Sequence, residues 1–270
     1  MNRIDILKAI HDKQSILCVG LDPDVSKLPI VYPKDIKGIT AFCKDIVKNT
    51  YDKCIAYKPN LAFFETYGSK GWEALEEILN EIPKDCFTIA DAKRGDIGNT
   101  SKMYAQTFFE YFGFDAVTVA PYMGEDSIRP FLDFEGKWTI VLGLTSNAGS
   151  NDFQRLKLDN GRPLYQEVIS KVSSWGNEDN MMFVIGATHP IDFKNVRQIL
   201  HNHFLLVPGV GAQGGSIKEV VSLGRGTKSI GLFVNASRSI LYASNGEDCM
   251  VKAREEVLQL NKEFNEVYNN

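Results

Sequence analysis

Four charged residues have the types and spacing of a chemical site: Asp91, Lys93 and Asp96 in one short stretch, and Lys58 upstream. The stretch reads Asp91-Ala92-Lys93-Arg94-Gly95-Asp96-Ile97-Gly98-Asn99-Thr100. Asp91 and Lys93 are two apart, so on an extended segment both can point the same way. Lys58 closes another apolar run, 55–58, and could reach the same place. Buried charges are tolerated only when paired. Lysines set among aspartates stay ionised, because opposite charge favours the charged form. Such a group is a fixed ammonium, able to stabilise negative charge that develops beside it. It is a poor Schiff-base former, since a protonated amine is not nucleophilic. A plain salt-bridge network could brace a barrel mouth with a D-x-K pair, but here it must also explain Lys58, Gly95 and a distant glycine loop.

That loop, Gly209-Val210-Gly211-Ala212-Gln213-Gly214, has the form G-x-G-x-x-G. A dinucleotide fold needs this motif early in a strand–helix–strand unit, with an acidic residue ending the next strand. Here it lies late in the chain, and the next apolar run ends Phe233-Val234-Asn235. The other reading is a barrel phosphate site, built from the loops after strands seven and eight. Glycines let backbone N–H groups approach an anion, and a following helix offers its N-terminus. Arg238, after the eighth run, adds a charged fork.

The elements that must position these groups are eight apolar runs: 16–20, 55–58, 87–91, 116–120, 139–144, 182–186, 204–207 and 230–235. Each is apolar on consecutive positions, which suits parallel strands covered on both faces. Helical patterns lie between them. Ile36, Ile39, Phe42, Cys43, Ile46 and Val47 mark one face, and Trp72, Leu75, Ile78 and Leu79 another. Ile217, Val220 and Val221 follow the seventh run, and a helix is expected near 163–173. Met250, Ala253, Val257, Leu260, Phe264 and Val267 mark a long amphipathic helix whose charged face is expected to be solvated. Strand–helix alternation repeated eight times predicts an α/β fold, a (β/α)8 barrel, with residues 1–270 as a single domain. Chemistry in such barrels sits at the C-terminal ends of the strands. The polar residues at those ends are Asp22, Lys58, Asp91, Lys93, Ser146, Asn147, the 209–215 loop, Ser237 and Arg238.

The 270 residues carry a net charge of −4, which argues against a general nucleic-acid or membrane binder. No secretory signal and no apolar stretch of membrane-spanning length appears. Cys18, Cys43, Cys54, Cys86 and Cys249 form no C-x-x-C and have no evident histidine partner. They read as reduced thiols in a cytoplasmic protein. Met1 and a full set of barrel runs suggest a stand-alone protein.

The 91–100 stretch resembles the signature D-x-K-R-G-D-I-G-x-T of one subgroup of the orotidine 5′-monophosphate decarboxylases. Gly20-Leu21-Asp22-Pro23, Tyr57-Lys58-Pro59-Asn60, Pro208 to Gly215 and Ser237-Arg238-Ser239-Ile240 resemble further family motifs, in order. The resemblance implies a cofactor-free, metal-free decarboxylase of pyrimidine biosynthesis that converts orotidine 5′-monophosphate to UMP and CO2. It implies that Lys93 is the general acid that protonates C6 and that Asp91 sits beside the departing carboxylate. Lys58 would complete a Lys-Asp-Lys-Asp chain and contact the ribose, and Asp22 would bind ribose hydroxyls. Ser146 would lie over the pyrimidine edge. Pro208, Gln213, Gly214, Gly215 and Arg238 would form the phosphate end. The resemblance also implies a homodimer, in which Asp96, with Ile97 and Thr100, would enter the site from a partner subunit.

Related sugar-phosphate decarboxylases share a D-x-K strand end but use Mg2+. Arg94-Gly95-Asp96 favours the nucleotide enzyme. A catalytically silent nucleotide binder would not need Lys58, Asp91, Lys93 and Asp96 together. His201 and His203 lack a third metal ligand nearby and suit a solvated turn. His11 reads as exposed, His189 receives no role, and Trp72, Trp138 and Trp175 read as packing residues.

Overall fold

The computed structural model describes residues 1–188, 191–210 and 215–268. Its strands are β1 Leu17–Leu21, β2 Ala56–Pro59, β3 Phe87–Arg94, β4 Ala116–Val119, β5 Trp138–Leu144, β6 Met181–Ile185, β7 Phe204–Pro208 and β8 Leu232–Ala236. They form a closed barrel in sequence order. The helices are α1 Arg3–Lys13, α2 Ile36–Thr50, α3 Ala62–Glu65, α4 Ser69–Glu81, α5 Gly98–Gln106 and α6 Glu125–Leu132. They continue as α7 Leu164–Ser173, α8 Ile191–Arg197, α9 Ile217–Gly224, α10 Arg238–Leu241 and α11 Cys249–Tyr268. The fold is the (β/α)8 barrel that the apolar runs predict. Contacts divide the chain into two compact units, Arg3–Ala92 with Asn235–Asn270, and Lys93–Val234.

In the first unit β1 pairs with β2, with Gly20 opposite Lys58, and β2 pairs with β3. The apolar face of α2, with Ile39, Phe42, Cys43, Ile46 and Val47, is buried. Its N-cap, Asp35, accepts from the Gly38 N–H at 2.9 Å. Gly38 must be glycine, because a Cβ there would lie 1.8 Å from the Pro33 carbonyl oxygen. The polar side of α11 differs from expectation. Arg254 forks onto Asp52 at 2.8 and 2.9 Å and donates to the Asn49 carbonyl at 2.7 Å. That face is tethered where the sequence suggested only solvation, because an arginine fork reaches further than helix periodicity can show.

In the second unit β4, β5, β6 and β7 pair in parallel register. Trp138, Phe204 and Phe233 meet edge to face in its core. Buried Arg197 donates to the carbonyls of Gly224, Leu200, His203 and Gly231 at 2.6 to 2.9 Å. It joins the end of α8 to the turns around β7 and β8. His201 is exposed, and His203 rests edge-on against Phe183. Among the described residues, no helix is long and apolar enough to cross a membrane.

Candidate active site

The expected charged residues fall at the C-terminal ends of their strands. Lys58 lies near the end of β2, Asp91 and Lys93 near the end of β3, and Asp22 just after β1. Lys58 is only 4% exposed, and its Nζ lies 2.7 Å from Asp91 Oδ2. Burial alone would lower the Lys58 pKa. The charges of Asp91 and Asp22 outweigh it and raise the pKa well above the ordinary lysine value. Lys58 is therefore a buried ammonium at any physiological pH.

Asp22 stands half-buried. Its Oδ2 accepts from Ser237 Oγ at 2.7 Å, while Oδ1 is buried with no hydrogen-bond partner among the described residues. The backbone around it is braced by Tyr242, whose hydroxyl accepts from the Asp24 N–H at 2.7 Å and donates to the Asp22 carbonyl at 3.1 Å. Asn235, at the end of β8, was not singled out from sequence. The residue is 8% exposed, and Oδ1 has no partner among the described residues. Gly20 makes room beside it, since a Cβ at 20 would sit 2.8 Å from Ser237 Cβ and 3.2 Å from Asn235 Oδ1. Two open acceptors, on Asp22 and Asn235, thus border one polar cluster. Unlike a charged strand end, a neutral amide closing an apolar run carries no sequence pattern of its own.

Lys93 has φ +47°, a left-handed conformation that a lysine rarely adopts. Its N–H donates to Thr118 Oγ1 on β4 at 2.9 Å, and Thr118 is buried. Ala120 N–H donates to the Arg94 carbonyl at 2.8 Å, so β3 stays paired beyond the expected end at 91. A non-glycine residue held at positive φ costs about 1–3 kcal/mol, and such outliers gather at functional sites. In the single chain Lys93 is exposed. Arg94 lies over the rings of Tyr104 and Phe108 at 5.3 and 5.5 Å.

Asp96 is half-buried and turns its carboxylate back on its own chain, accepting from the Ile97 N–H at 2.8 Å. Its carbonyl accepts from Ser101. Ile97 and Thr100 are exposed at the start of α5.

Ser146 is half-buried after β5. Its carbonyl accepts from Thr188 Oγ1 at 3.4 Å. Gly186 allows this approach, because a Cβ there would meet the Ser146 N and Cα at 2.7 and 2.8 Å. The preceding residue is held by Gln154, whose Oε1 accepts from the Thr145 N–H and whose Nε2 donates to Thr145 Oγ1, both at 2.8 Å.

Pro208 ends β7, and its carbonyl accepts from Ala187 N–H at 2.9 Å. Gly209 has φ +97°, and its carbonyl accepts from Gly215 N–H at 3.1 Å. The two ends of the glycine loop are thereby joined. Ser216 caps α9 immediately after it. Gln213 and Gly214 lie outside the described residues. Arg238 is exposed at the start of α10. Among the described residues, no cluster of three or more His, Cys, Asp or Glu could hold a metal.

Residues 15–250 match the family model described as "Orotidine 5'-phosphate decarboxylase / HUMPS family". The orotidine 5′-phosphate decarboxylase of Phocaeicola vulgatus is 51% identical over 270 residues, covering 99% of each chain. That of Bacteroides fragilis strain YCH46 is 54% identical over 257 residues, covering 94% of this chain and 93% of its own. The solved structure of Leishmania donovani OMP decarboxylase superposes with TM-score 0.83 at 35% identity, covering 97% of this chain and 100% of that one.

Proposed function

We propose that this chain, which belongs to the orotidine 5′-phosphate decarboxylase / HUMPS family, is a carboxy-lyase that converts orotidine 5′-monophosphate to UMP and CO2. The relatives at 51% and 54% identity carry the decarboxylase name. The observation that carries the reading is the end of β3. There Asp91 is already held by buried Lys58, and Lys93 two residues on has a backbone bent out of strand geometry.

The chemistry follows from charge. Breaking the bond from C6 to the carboxylate releases CO2 and leaves an electron pair on C6. No adjacent carbonyl is positioned to spread that charge. The Lys93 ammonium stabilises the pair and then supplies the proton, so a C–H bond replaces the C–C bond and solvent returns a proton to the amine. Asp91 repels the substrate carboxylate, and this repulsion falls as charge leaves with CO2. Lys58 fixes Asp91 in that position and reaches towards the ribose. Enzymes supply roughly 8–23 kcal/mol of barrier reduction, beyond what one ion pair provides, so binding energy at the distant phosphate must contribute.

The remaining residues bind the nucleotide. Asp22 Oδ1 is an open acceptor for a ribose hydroxyl. Ser146, held through its backbone, covers the pyrimidine edge. Pro208, Gln213, Gly214, Gly215 and Arg238 form the phosphate end. Asp96, Ile97 and Thr100 act in the site of a second copy, which encloses the exposed Lys93. In support of a homodimer, Ile97, Met103, Tyr111, Tyr122 and Met123 all lie in one stretch of the chain and are 47% or more exposed. Residues 1–270 act as one catalytic domain, and reduced cysteines suit a cytoplasmic setting. No cofactor takes part.

The test is loss of pyrimidine absorbance on adding orotidine 5′-monophosphate in buffer treated with EDTA. Steady conversion to UMP is expected. No conversion would overturn the reading, and conversion that needed added Mg2+ would favour the metal-dependent sugar-phosphate branch.

A further inference from the structure

Opposite the strand ends that carry the proposed chemistry, the starts of β2 and β3 hold a second reactive group. Lys13, the last residue of α1, places Nζ 3.1 Å from Cys86 Sγ, 3.1 Å from Asp85 Oδ2 and 2.9 Å from the Tyr51 carbonyl. Cys86 lies immediately before β3 and is 2% exposed. As a thiol it donates to the Tyr51 carbonyl at 3.6 Å, and as a thiolate it accepts from Lys13. Cys54, two residues before β2, is fully buried and within hydrogen-bonding reach of Cys86 and of Tyr57. Phe87 N–H donates to the Ile55 carbonyl at 2.8 Å and Ala56 pairs with Phe87, so the residues just before β2 and β3, Cys54 and Cys86 among them, run side by side as neighbouring parallel strands do. Such strands lie about 4.8 Å apart, inside the ~4.4–6.8 Å Cα spacing that a disulfide spans.

The electrostatics sort the five cysteines. Burial pushes the Cys18 thiol up to about 12, and burial also raises Cys43 and Cys249. Cys54 is likewise raised, by burial first and by Cys86 second. Cys86 alone is lowered, first by its hydrogen bond from Cys54 and then, against burial, by the Lys13 ammonium. Burial works to lower Lys13, yet the charge of Cys86 and its hydrogen bonds with Cys86 and Asp85 leave it raised, as an ammonium–thiolate pair requires. The sequence offers no evident histidine partner for a cysteine; the partner of Cys86 is a lysine. A surface cleft of about 440 Å³, lined by Asp5, Lys8, Asp12, Lys13, Lys84 and Asp85, opens onto this lysine from solvent.

We propose that Cys86 and Cys54 form a peroxide-reactive thiol pair, with Cys86 the attacking thiolate, Cys54 the resolving thiol and Lys13 the group that activates Cys86. The oxidant is a small hydroperoxide. The Cys86 thiolate attacks one peroxide oxygen, so an S–O bond forms, the O–O bond breaks, and hydroxide leaves and takes a proton to become water. Cys54 then attacks the sulfenic sulfur. An S–S bond forms, the S–O bond breaks, and a second water leaves with the Cys54 proton. Two thiols lose two electrons and two protons in all, and hydrogen peroxide becomes two waters.

The experiment treats the folded full-length protein with hydrogen peroxide, quenches at intervals, and maps non-reduced peptides by mass spectrometry. A Cys54–Cys86 cross-link, lighter by two hydrogens and reversed by dithiothreitol, is expected to form at least about tenfold faster than any oxidation of Cys18, Cys43 or Cys249. Cys54→Ser should halt the sequence at sulfenic acid on Cys86, and Lys13→Met should slow its formation about tenfold. Cross-linking at other cysteines, no cross-link at all, or an unchanged rate in Lys13→Met would overturn the proposal. A second readout on the unaltered protein covers a variant that fails to fold: alkylation of Cys86 by iodoacetamide should begin at lower pH than that of the other four thiols. Equal pH dependence would also overturn it.

Discussion

Two buried cations in this molecule are stabilised in opposite ways. Arg197 gives its donors to four backbone carbonyls, all neutral, at the end of α9 and in the turns that it joins. Lys58 leans on carboxylates, with Asp91 at 2.7 Å and the charge of Asp22 further off. The first arrangement closes a set of hydrogen bonds. The second leaves acceptors open beside it, on Asp22 Oδ1 and Asn235 Oδ1. A buried charge that serves the fold uses up its neighbours' hydrogen-bonding capacity. A buried charge that serves chemistry keeps some of that capacity for a ligand and depends on groups whose own charge matters.

That contrast is open to direct attack. Of the two buried cations, Lys58→Ala should have the larger effect on catalysis. It leaves Asp91 buried without its cation, a loss of about 3–5 kcal/mol in stability, and it should cut kcat/KM for orotidine 5′-monophosphate by about 10²–10³. Activity near that of the unaltered enzyme would remove Lys58 from the chemistry. Arg197→Leu should destabilise at least as much, at about 1–3 kcal/mol for each of the four carbonyls left unpaired. Unlike Lys58→Ala, it should leave kcat and KM unchanged per folded molecule, as measured by denaturant titration beside kinetics. A selective fall in kcat would erase the distinction between the two cations. Asn235→Ala removes one open acceptor, so KM should rise about tenfold with kcat little changed. Equal loss in both constants would point to a disrupted strand end. The smallest effect is a recovery: mixing inactive Lys93→Ala with inactive Asp96→Ala should restore about a quarter of the activity if each site draws Asp96 from the other subunit of a two-fold dimer. No recovery would place Asp96 within its own chain's site.

The sequence was most legible where apolar residues run together. All eight strands lie at or within two residues of the apolar runs except β3, which continues through Lys93 and Arg94. An apolar-run criterion stops at the first charge, yet those residues remain held to β4 through Thr118 and Ala120. The charged pair Lys58 and Asp91 was legible because buried charges demand partners. Thr118 and Gln154 work through neutral hydrogen bonds, and Asn235 offers a neutral amide; such residue types occur throughout the surface and carry no periodic signal. The positive φ of Lys93 was invisible for another reason: lysine does not advertise a left-handed backbone as glycine does at 209. Gln213 and Gly214, named from the glycine loop, lie outside the described residues.

The most direct test is Lys93→Ala, measured twice on one preparation: turnover of orotidine 5′-monophosphate, and binding of UMP by calorimetry. Turnover should fall by at least about 10³ while UMP affinity stays within about tenfold, because the amine acts on charge present only during reaction. Turnover within tenfold of the unaltered enzyme, with UMP still bound, would contradict proton delivery from the end of β3.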